Sequence, residues 1–464
     1  MTTPKKDDRM KEKGRERRTF SVRHRLGEEE EKRMQISGQR EYELLEKIGF
    51  TRVAGSAEEL KAAEILKEEC GKIGFPAVIE DFKIEDAEIE TATLEIVEPF
   101  HQEIPVTGFK CAQNTLDEGL TADFLYVENA EEANLTDAAG KIVLVNGFLR
   151  LPAYRKLMKA GVAAIITMEG QLRDKLSETD LSTRTLRSTL RAFGSVPMVN
   201  MRVLDAIEMV RKGATKAKLT LKNTVVERIS HNVVCTVPGT EKPEEIVSFG
   251  AHYDSVPFSK GVYDNGAGSV IIMEMLRYFK ENPPLRTVKF MWYGAEEIGL
   301  EGSKAYVRDH KDELSKHLFM INVDVGGPVL GYETLAVTGE ESLKNYAEYL
   351  MKIIGHPVEV KQSIYSSDSI PYADNGIPAV NFSRNGTYGA AYIHNRFDTM
   401  SFLSADMLAK TSVGVLELGK SVINAKVFPI ERKLPQNIID DVDKYLYKKE
   451  LAEAEEEKKA EEAK

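Results

Sequence analysis

Cysteine is scarce in this chain. The three present, Cys70, Cys111 and Cys235, are odd in number and far apart, which argues against a disulfide framework and suits free thiols in a reducing compartment. No CxxC motif occurs, so a sulfur-ligated zinc site is not expected. No stretch approaches the roughly 20 consecutive apolar residues of a bilayer-spanning helix. The charged N-terminus lacks the apolar h-region of a secretory signal, and the polar segment after Arg17 and Arg18 cannot complete a twin-arginine one. Basic residues are outnumbered by acidic ones, 63 to 74. The net charge of -11 disfavours nucleic acid as a partner. These absences predict a cytoplasmic protein with neither a membrane nor a nucleic acid among its partners.

A chain of 464 residues is too long for one simple core, and two domains plus tails are expected. Residues 1–33 form a mixed-charge leader whose composition predicts disorder. Residues 435–464 end in alternating Ala, Glu and Lys, which predicts an exposed helix with Glu-to-Lys pairs and no chemistry. Residues 34–94 open with helical periodicity, in which Leu44, Leu45, Ile48, Leu60, Ala63 and Leu66 recur on one face. Ser56 and Glu59 have the spacing of a capping box, and two extended segments follow. Residues 95–222 change texture to short strand-like runs. There GKIVLVNG, a helix from Leu151 to Ala160 and GVAAIITM read as a strand, helix, strand unit. This stretch reads as an inserted module. Residues 223–434 return to long alternation of apolar strands and helices. That pattern predicts an α/β fold whose mostly parallel sheet is flanked by helices.

Five residues with metal-ligand chemistry stand in compact motifs of this last segment: His252 in GAHYDS, Asp264 in VYDNGAGS, Glu297 in WYGAEEIGLEGS, Asp324 in INVDVGG and His394 in YIHNRFDT. Nitrogen and oxygen donors in this mixture suit zinc. Glu296 adds a free carboxylate beside Glu297. Ions that make a nucleophile from water, with a base to take its proton, are what a metal-assisted hydrolase requires. His252, the Glu296–Glu297 pair and Asp324 each follow an apolar strand. In open α/β sheets, ligands bind beyond the carboxyl ends of strands, so three strands are expected to deliver these groups to one edge. Taken singly, each has a plainer use: a strand-end histidine in hydrogen bonding, an Asp before Asn-Gly as a turn former, paired Glu at a helix dipole.

Taken in order, these motifs resemble those of the co-catalytic zinc aminopeptidases of clan MH. The resemblance extends upstream to the helical segment EKIGFTRVAGSAEELKAAEILKEECGKIGF, and the inserted module is similar to a protease-associated domain. It implies a metallo-exopeptidase with two zinc ions per chain, which hydrolyses N-terminal residues from peptides through a hydroxide shared by the ions. By motif, Asp264 would bridge the ions, Glu297 and His394 would complete one, and His252 and Asp324 the other. Glu296 would be the general base, and Asp254 would orient the His252 imidazole. Tyr365, with Tyr392 as competitor, would bind substrate at the tetrahedral intermediate. Ser369 stands where the family often carries a histidine. The partners implied are peptides with a free N-terminus. The inserted module would cap the cleft or form the contact of a homo-oligomer.

Two other readings share these residues. A carboxypeptidase or deacylase on the same scaffold would need a cation for a substrate carboxylate, and Arg384 and Arg396 lie near the last ligand. A non-catalytic receptor-like protein would have lost ligands, and here none is missing.

Overall fold

The computed structural model describes residues 36–147, 149–175 and 177–462. The leader expected at residues 1–33 lies outside them.

Two helices open the described chain, α1 (Gly38–Ile48) and α2 (Ala57–Ile73). The α2 cap follows its sequence, with Ser56 Oγ accepting the Glu59 N–H at 3.1 Å. The Glu59 carboxylate, however, takes the Gly55 N–H at 2.7 Å rather than the cap residue's own. Next, the two extended segments prove to be one continuous strand, β1 (Ala77–Glu98).

The inserted stretch contains β2 (Gln102–Ile104), β3 (Val106–Lys110), β4 (Leu120–Tyr126), β5 (Ile142–Leu144), α3 (Leu151–Lys159), β6 (Ala164–Glu169), β7 (Arg184–Thr185), β8 (Met198–Arg202) and α4 (Val203–Arg211). β5 and β6 pair in parallel across α3, as a strand, helix, strand unit must. Ile142, Leu144, Tyr154, Leu157, Ile165, Met198 and Leu219 are fully buried in a hydrophobic core of this stretch. The next strand, β9 (Lys216–Val237), pairs antiparallel with β1 along almost its whole length. This long ribbon joins the inserted strands to the main sheet.

The main sheet is completed by β10 (Lys242–His252), α5 (Ala267–Glu281), β11 (Arg286–Tyr293), α6 (Glu301–Asp309), β12 (His317–Val323), β13 (Gly331–Thr338), α7 (Glu341–Ile353), β14 (Val358–Gln362), α8 (Ser369–Asp374), β15 (Ala379–Gly386) and α9 (Ala405–Ile423). Its strand order is β14-β13-β15-β12-β10-β11-β9. The β15–β12, β12–β10 and β10–β11 pairs are parallel, whereas β13 runs antiparallel to β15 and β9 to β11.

Alternation along β11 fixes both faces of this sheet. Phe290 stacks on Phe249 with centroids 5.3 Å apart, and the Trp292 indole donates to the Ser269 carbonyl of α5 at 2.9 Å. Met291 and Tyr293 point the other way and pack with Tyr306 and Tyr372. Burying each such side chain contributes roughly 1.5–3 kcal/mol. Gly268 lets α5 lie close against the sheet, since a Cβ there would sit 2.3 Å from the Val323 carbonyl.

Two further helices, α10 (Gln436–Tyr445) and α11 (Lys448–Glu462), close the described chain. Ile438 and Val442 of α10 are buried in a cluster with Leu300, Ile370 and Leu434.

Candidate metal centre

The sheet brings the scattered carboxylates and imidazoles to one edge. β10 ends on His252 itself, β12 ends one residue before Asp324, and β11 leads through Gly294 and Ala295 to Glu296 and Glu297. Ala295 and Val325 take positive φ values of 56° and 61°. The chain therefore turns abruptly beside each acid, in a backbone region rare for residues with a Cβ. Asp264 lies in the turn before α5, and His394, at φ 58°, in the loop after β15.

Two ligand groups result, and they share one residue. His252 Nε2 lies 3.2 Å from Asp264 Oδ1 and 3.6 Å from Asp324 Oδ1. His394 Nε2 lies 3.1 Å from Asp264 Oδ2 and 3.1 Å from Glu297 Oε2. Each triad, His252–Asp264–Asp324 and Asp264–Glu297–His394, has its donor atoms within 4.8 Å of one another. Asp264 thus turns one carboxylate oxygen to each histidine. Oxygen and nitrogen donors converging this closely fit a pair of divalent cations, zinc above all.

The electrostatics carry the same message. Burial opposes charge on His252, but Glu296, Asp254, Asp264 and Asp324 outweigh it and raise its pKa well above the ordinary value. Burial likewise opposes charge on His394, yet Glu297 and Asp264 lift it to about 11. Burial raises the Glu296 carboxyl well above its usual range, and the neighbouring Glu297 adds to this despite the opposing His252. Crowded acids of this kind demand compensating positive charge, which bound cations would provide.

The supporting shell is built from residues that the motifs named and several they did not. Asp254 is buried beside His252, with Oδ1 3.4 Å from Nδ1. Its two oxygens accept the Glu296 and Glu297 backbone N–H groups at 3.0 and 3.2 Å. Asp398 accepts the N–H groups of Tyr263 at 2.8 Å and Asp264 at 3.2 Å. Burial pushes its own pKa up to about 7. Its position four residues after His394, in the same motif, was the available signal. Asn265 receives the Val325 N–H at 3.1 Å and donates to the Val323 carbonyl at 2.8 Å, fixing both sides of Asp324. Arg52, fully buried, donates to the carbonyls of Ile48, Phe50, Tyr253, Lys260 and Gly261 at 2.5–2.8 Å. Nothing local to FTRVAGS marks Arg52 as the clasp between the end of α1 and the segments bearing Asp254 and Asp264.

Of the two tyrosine candidates, Tyr365 is half-buried. Burial raises its phenol pKa, and the nearby Asp324 and Asp264 carboxylates add to this. Tyr392 is 39% exposed and packs on Phe397. Ser369 is buried. Both arginines near the last ligand are engaged within the protein. Arg384 donates to the Pro328 carbonyl at 2.8 Å and is 3% exposed. Arg396 is paired with Asp180 of the inserted stretch.

Residues 232–419 match the family model described as peptidase family M28. Aminopeptidase YwaD of Bacillus subtilis (strain 168) is 29% identical over 359 residues, with 73% of each chain covered. Carboxypeptidase Q of Homo sapiens is 24% identical over 412 residues, covering 85% of each chain. Among solved structures, BSAP, described as a zinc aminopeptidase from Bacillus subtilis, superposes with a TM-score of 0.69 at 25% identity, covering 87% of this chain and 99% of that one. The ordered motifs and the α/β sheet agree with these matches: residues 232–419 are similar in sequence to peptidase family M28.

Proposed function

We propose that the protein is a zinc-dependent aminopeptidase with two zinc ions per chain, which removes N-terminal residues from peptides carrying a free amino group. The observation that supports this reading above all is the division of Asp264 between two triads, one oxygen to each histidine. In this assignment Asp264 would be shared by both ions, His252 and Asp324 would hold one, and Glu297 and His394 the other. Zinc held there supplies Lewis acidity and lowers the pKa of water towards about 7.

The remaining residues move protons and hold geometry. Glu296 accepts the proton of the attacking water and returns it to the leaving amine, a task suited to a carboxyl whose pKa is raised above the ordinary range. Asp254 fixes the His252 ring and the backbone from which Glu296 projects. The Tyr365 phenol keeps its proton at neutral pH and can donate it in a hydrogen bond to the developing oxyanion. Residues 95–222, with a hydrophobic core beneath their strands, are assigned as a protease-associated module bordering the cleft. The three unpaired, buried cysteines suit a cytoplasmic location.

The test is a panel of aminoacyl and N-blocked peptides, assayed with chelator and after zinc is restored. Cleavage confined to free-amine substrates and recovered with zinc is expected. Turnover of N-blocked peptides at an equal rate, or in the presence of chelator, would sink the reading.

A further inference from the structure

The two triads are carried differently. His252 ends β10 and Asp324 follows β12, so paired parallel strands of the main sheet direct both. His394 stands apart from the strands. β15 ends at Gly386, eight residues earlier, and His394 takes its left-handed φ of 58° in the loop beyond. Within that loop Asn395 makes local bonds, donating to the Ile393 carbonyl at 2.8 Å and accepting the Phe397 N–H at 2.9 Å. On one side Asp398 ties the loop to the Tyr263 and Asp264 N–H groups.

On another side the support comes from the inserted stretch. Asp180 Oδ2 accepts the backbone N–H of Arg396, two residues after His394, at 2.7 Å. Its Oδ1 meets the Arg396 guanidinium. One carboxylate thus grips both the backbone and the side chain of a single loop residue. The Asp180 side chain is 10% exposed, and a charge-assisted pair so shielded outweighs a solvated surface pair.

Asp180 is itself firmly placed. Two residues on, the Ser182 carbonyl accepts from Thr107 of β3 at 2.7 Å and from Asn200 of β8 at 3.2 Å. The Glu169 carboxylate, at the end of β6, accepts the Ser182 hydroxyl at 2.9 Å. Three strands of the inserted stretch therefore hold the segment that bears Asp180. A second bond from the same stretch reaches the other end of the triad, where Arg187 Nη2 donates to the Glu297 carbonyl at 3.1 Å. Both contacts fall on the Asp264–Glu297–His394 group.

We propose that Asp180 is a positioning residue for His394, so that zinc affinity in the Glu297–His394 site, and not in the His252–Asp324 site, depends on the inserted stretch. The stretch is then part of the metal centre's support, in addition to any part it plays at the cleft. Linkage makes the effect reciprocal: zinc in that site holds the Asp180 segment in place. This inference rests on the two-ion reading and assigns its two sites unequal dependence on the fold.

The full chain is titrated with zinc against a calibrated chelator, and amide hydrogen exchange is followed over residues 177–183. The wild type is expected to hold two ions and to slow that exchange when zinc is added. Asp180→Ala is expected to weaken one ion by about tenfold or more, to leave the other within about twofold, and to lose the slowing. Asp180→Asn keeps an oxygen for the Arg396 N–H and falls between. Urea midpoints of the zinc-free proteins are expected to coincide, which separates positioning from a general loss of stability. Unchanged affinity for both ions in Asp180→Ala, or equal weakening of both, overturns the role of Asp180 alone. A wild-type chain that holds fewer than two ions overturns the two-ion reading and this one with it.

Discussion

Asp254 Oδ1 accepts the backbone N–H of Glu296 at 3.0 Å. The same carboxylate takes the Glu297 N–H through Oδ2 and faces His252 Nδ1 at 3.4 Å. One buried acid therefore orients an imidazole of one triad and the peptide that carries both the proposed base and a ligand of the other. Asp254→Asn turns an N–H donor towards one of these three donors. Zinc affinity is expected to fall about 10–100-fold, with kcat falling alongside. Competition with a calibrated chelator reads the first and steady-state kinetics the second. Unchanged zinc affinity would show that Asp254 serves the backbone only.

Glu296 separates chemistry from metal binding. It belongs to neither triad, so Glu296→Gln should leave zinc content at the wild-type level while kcat drops about 10²–10⁴-fold. Elemental analysis of the same preparation used for kinetics makes the comparison direct. A variant that retained the wild-type rate would remove Glu296 from the proton path.

Asp264 and His394 are expected to differ in kind. His394 contributes to one triad, and its side chain is 52% exposed, whereas Asp264 serves both triads. His394→Ala should lower zinc from two ions per chain to about one. Asp264→Asn, which removes the charge shared by both groups, should bring it close to none. Equal loss in the two variants would contradict the bridging assignment.

The candidate ligands were legible because each stands in a compact motif, and His252, Glu297 and Asp324 emerge just past apolar strands, where sheet architecture fixes their direction. The strand, helix, strand unit around α3 was legible for the same reason, since apolar runs of strand length flank a helix. Long-range partnership was not. Arg52 acts on carbonyls up to 209 positions away, and no local pattern records that. β1 reads as two segments because polar residues interrupt its apolar ones; pairing with β9 carries it across the interruption. The C-terminal Ala, Glu and Lys repeat dominates the reading of its segment and hides the short apolar face of α10. That face is visible only once Leu300 and Ile370 are seen to receive it.

Arg52 should matter to stability more than its distance from the chemistry suggests. Five carbonyls depend on its guanidinium, and it is fully buried. Burial lowers its pKa to about 10, with Asp254 and Asp398 opposing that fall, so it stays charged at neutral pH. Arg52→Met leaves these acceptors without their donor at a cost of about 3 kcal/mol or more. Urea unfolding at pH 7 measures it. A loss below about 1 kcal/mol would mean that water replaces the guanidinium.

Glu41 gives the fold a pH dependence that its neutral analogue should lack. The residue is buried on α1 and hydrogen-bonded to Ser412 of α9, with Glu274 and Arg40 the charged groups facing it. Burial raises its carboxyl well above the ordinary value of 4.5; Ser412 and Arg40 oppose the rise and Glu274 adds to it. In the folded protein the proton is therefore kept at pH values where the unfolded chain has released it. The unfolded state then binds fewer protons, so stability from this group is full below about pH 4.5 and drains away as pH rises towards the folded pKa. Glu41→Gln carries no charge to bury. It should match the wild type at pH 4 and exceed it by about 1 kcal/mol or more at pH 8, as read from urea midpoints at both values. A variant less stable than the wild type at pH 8 would show that the carboxylate is ionised in the folded state and held there by Arg40.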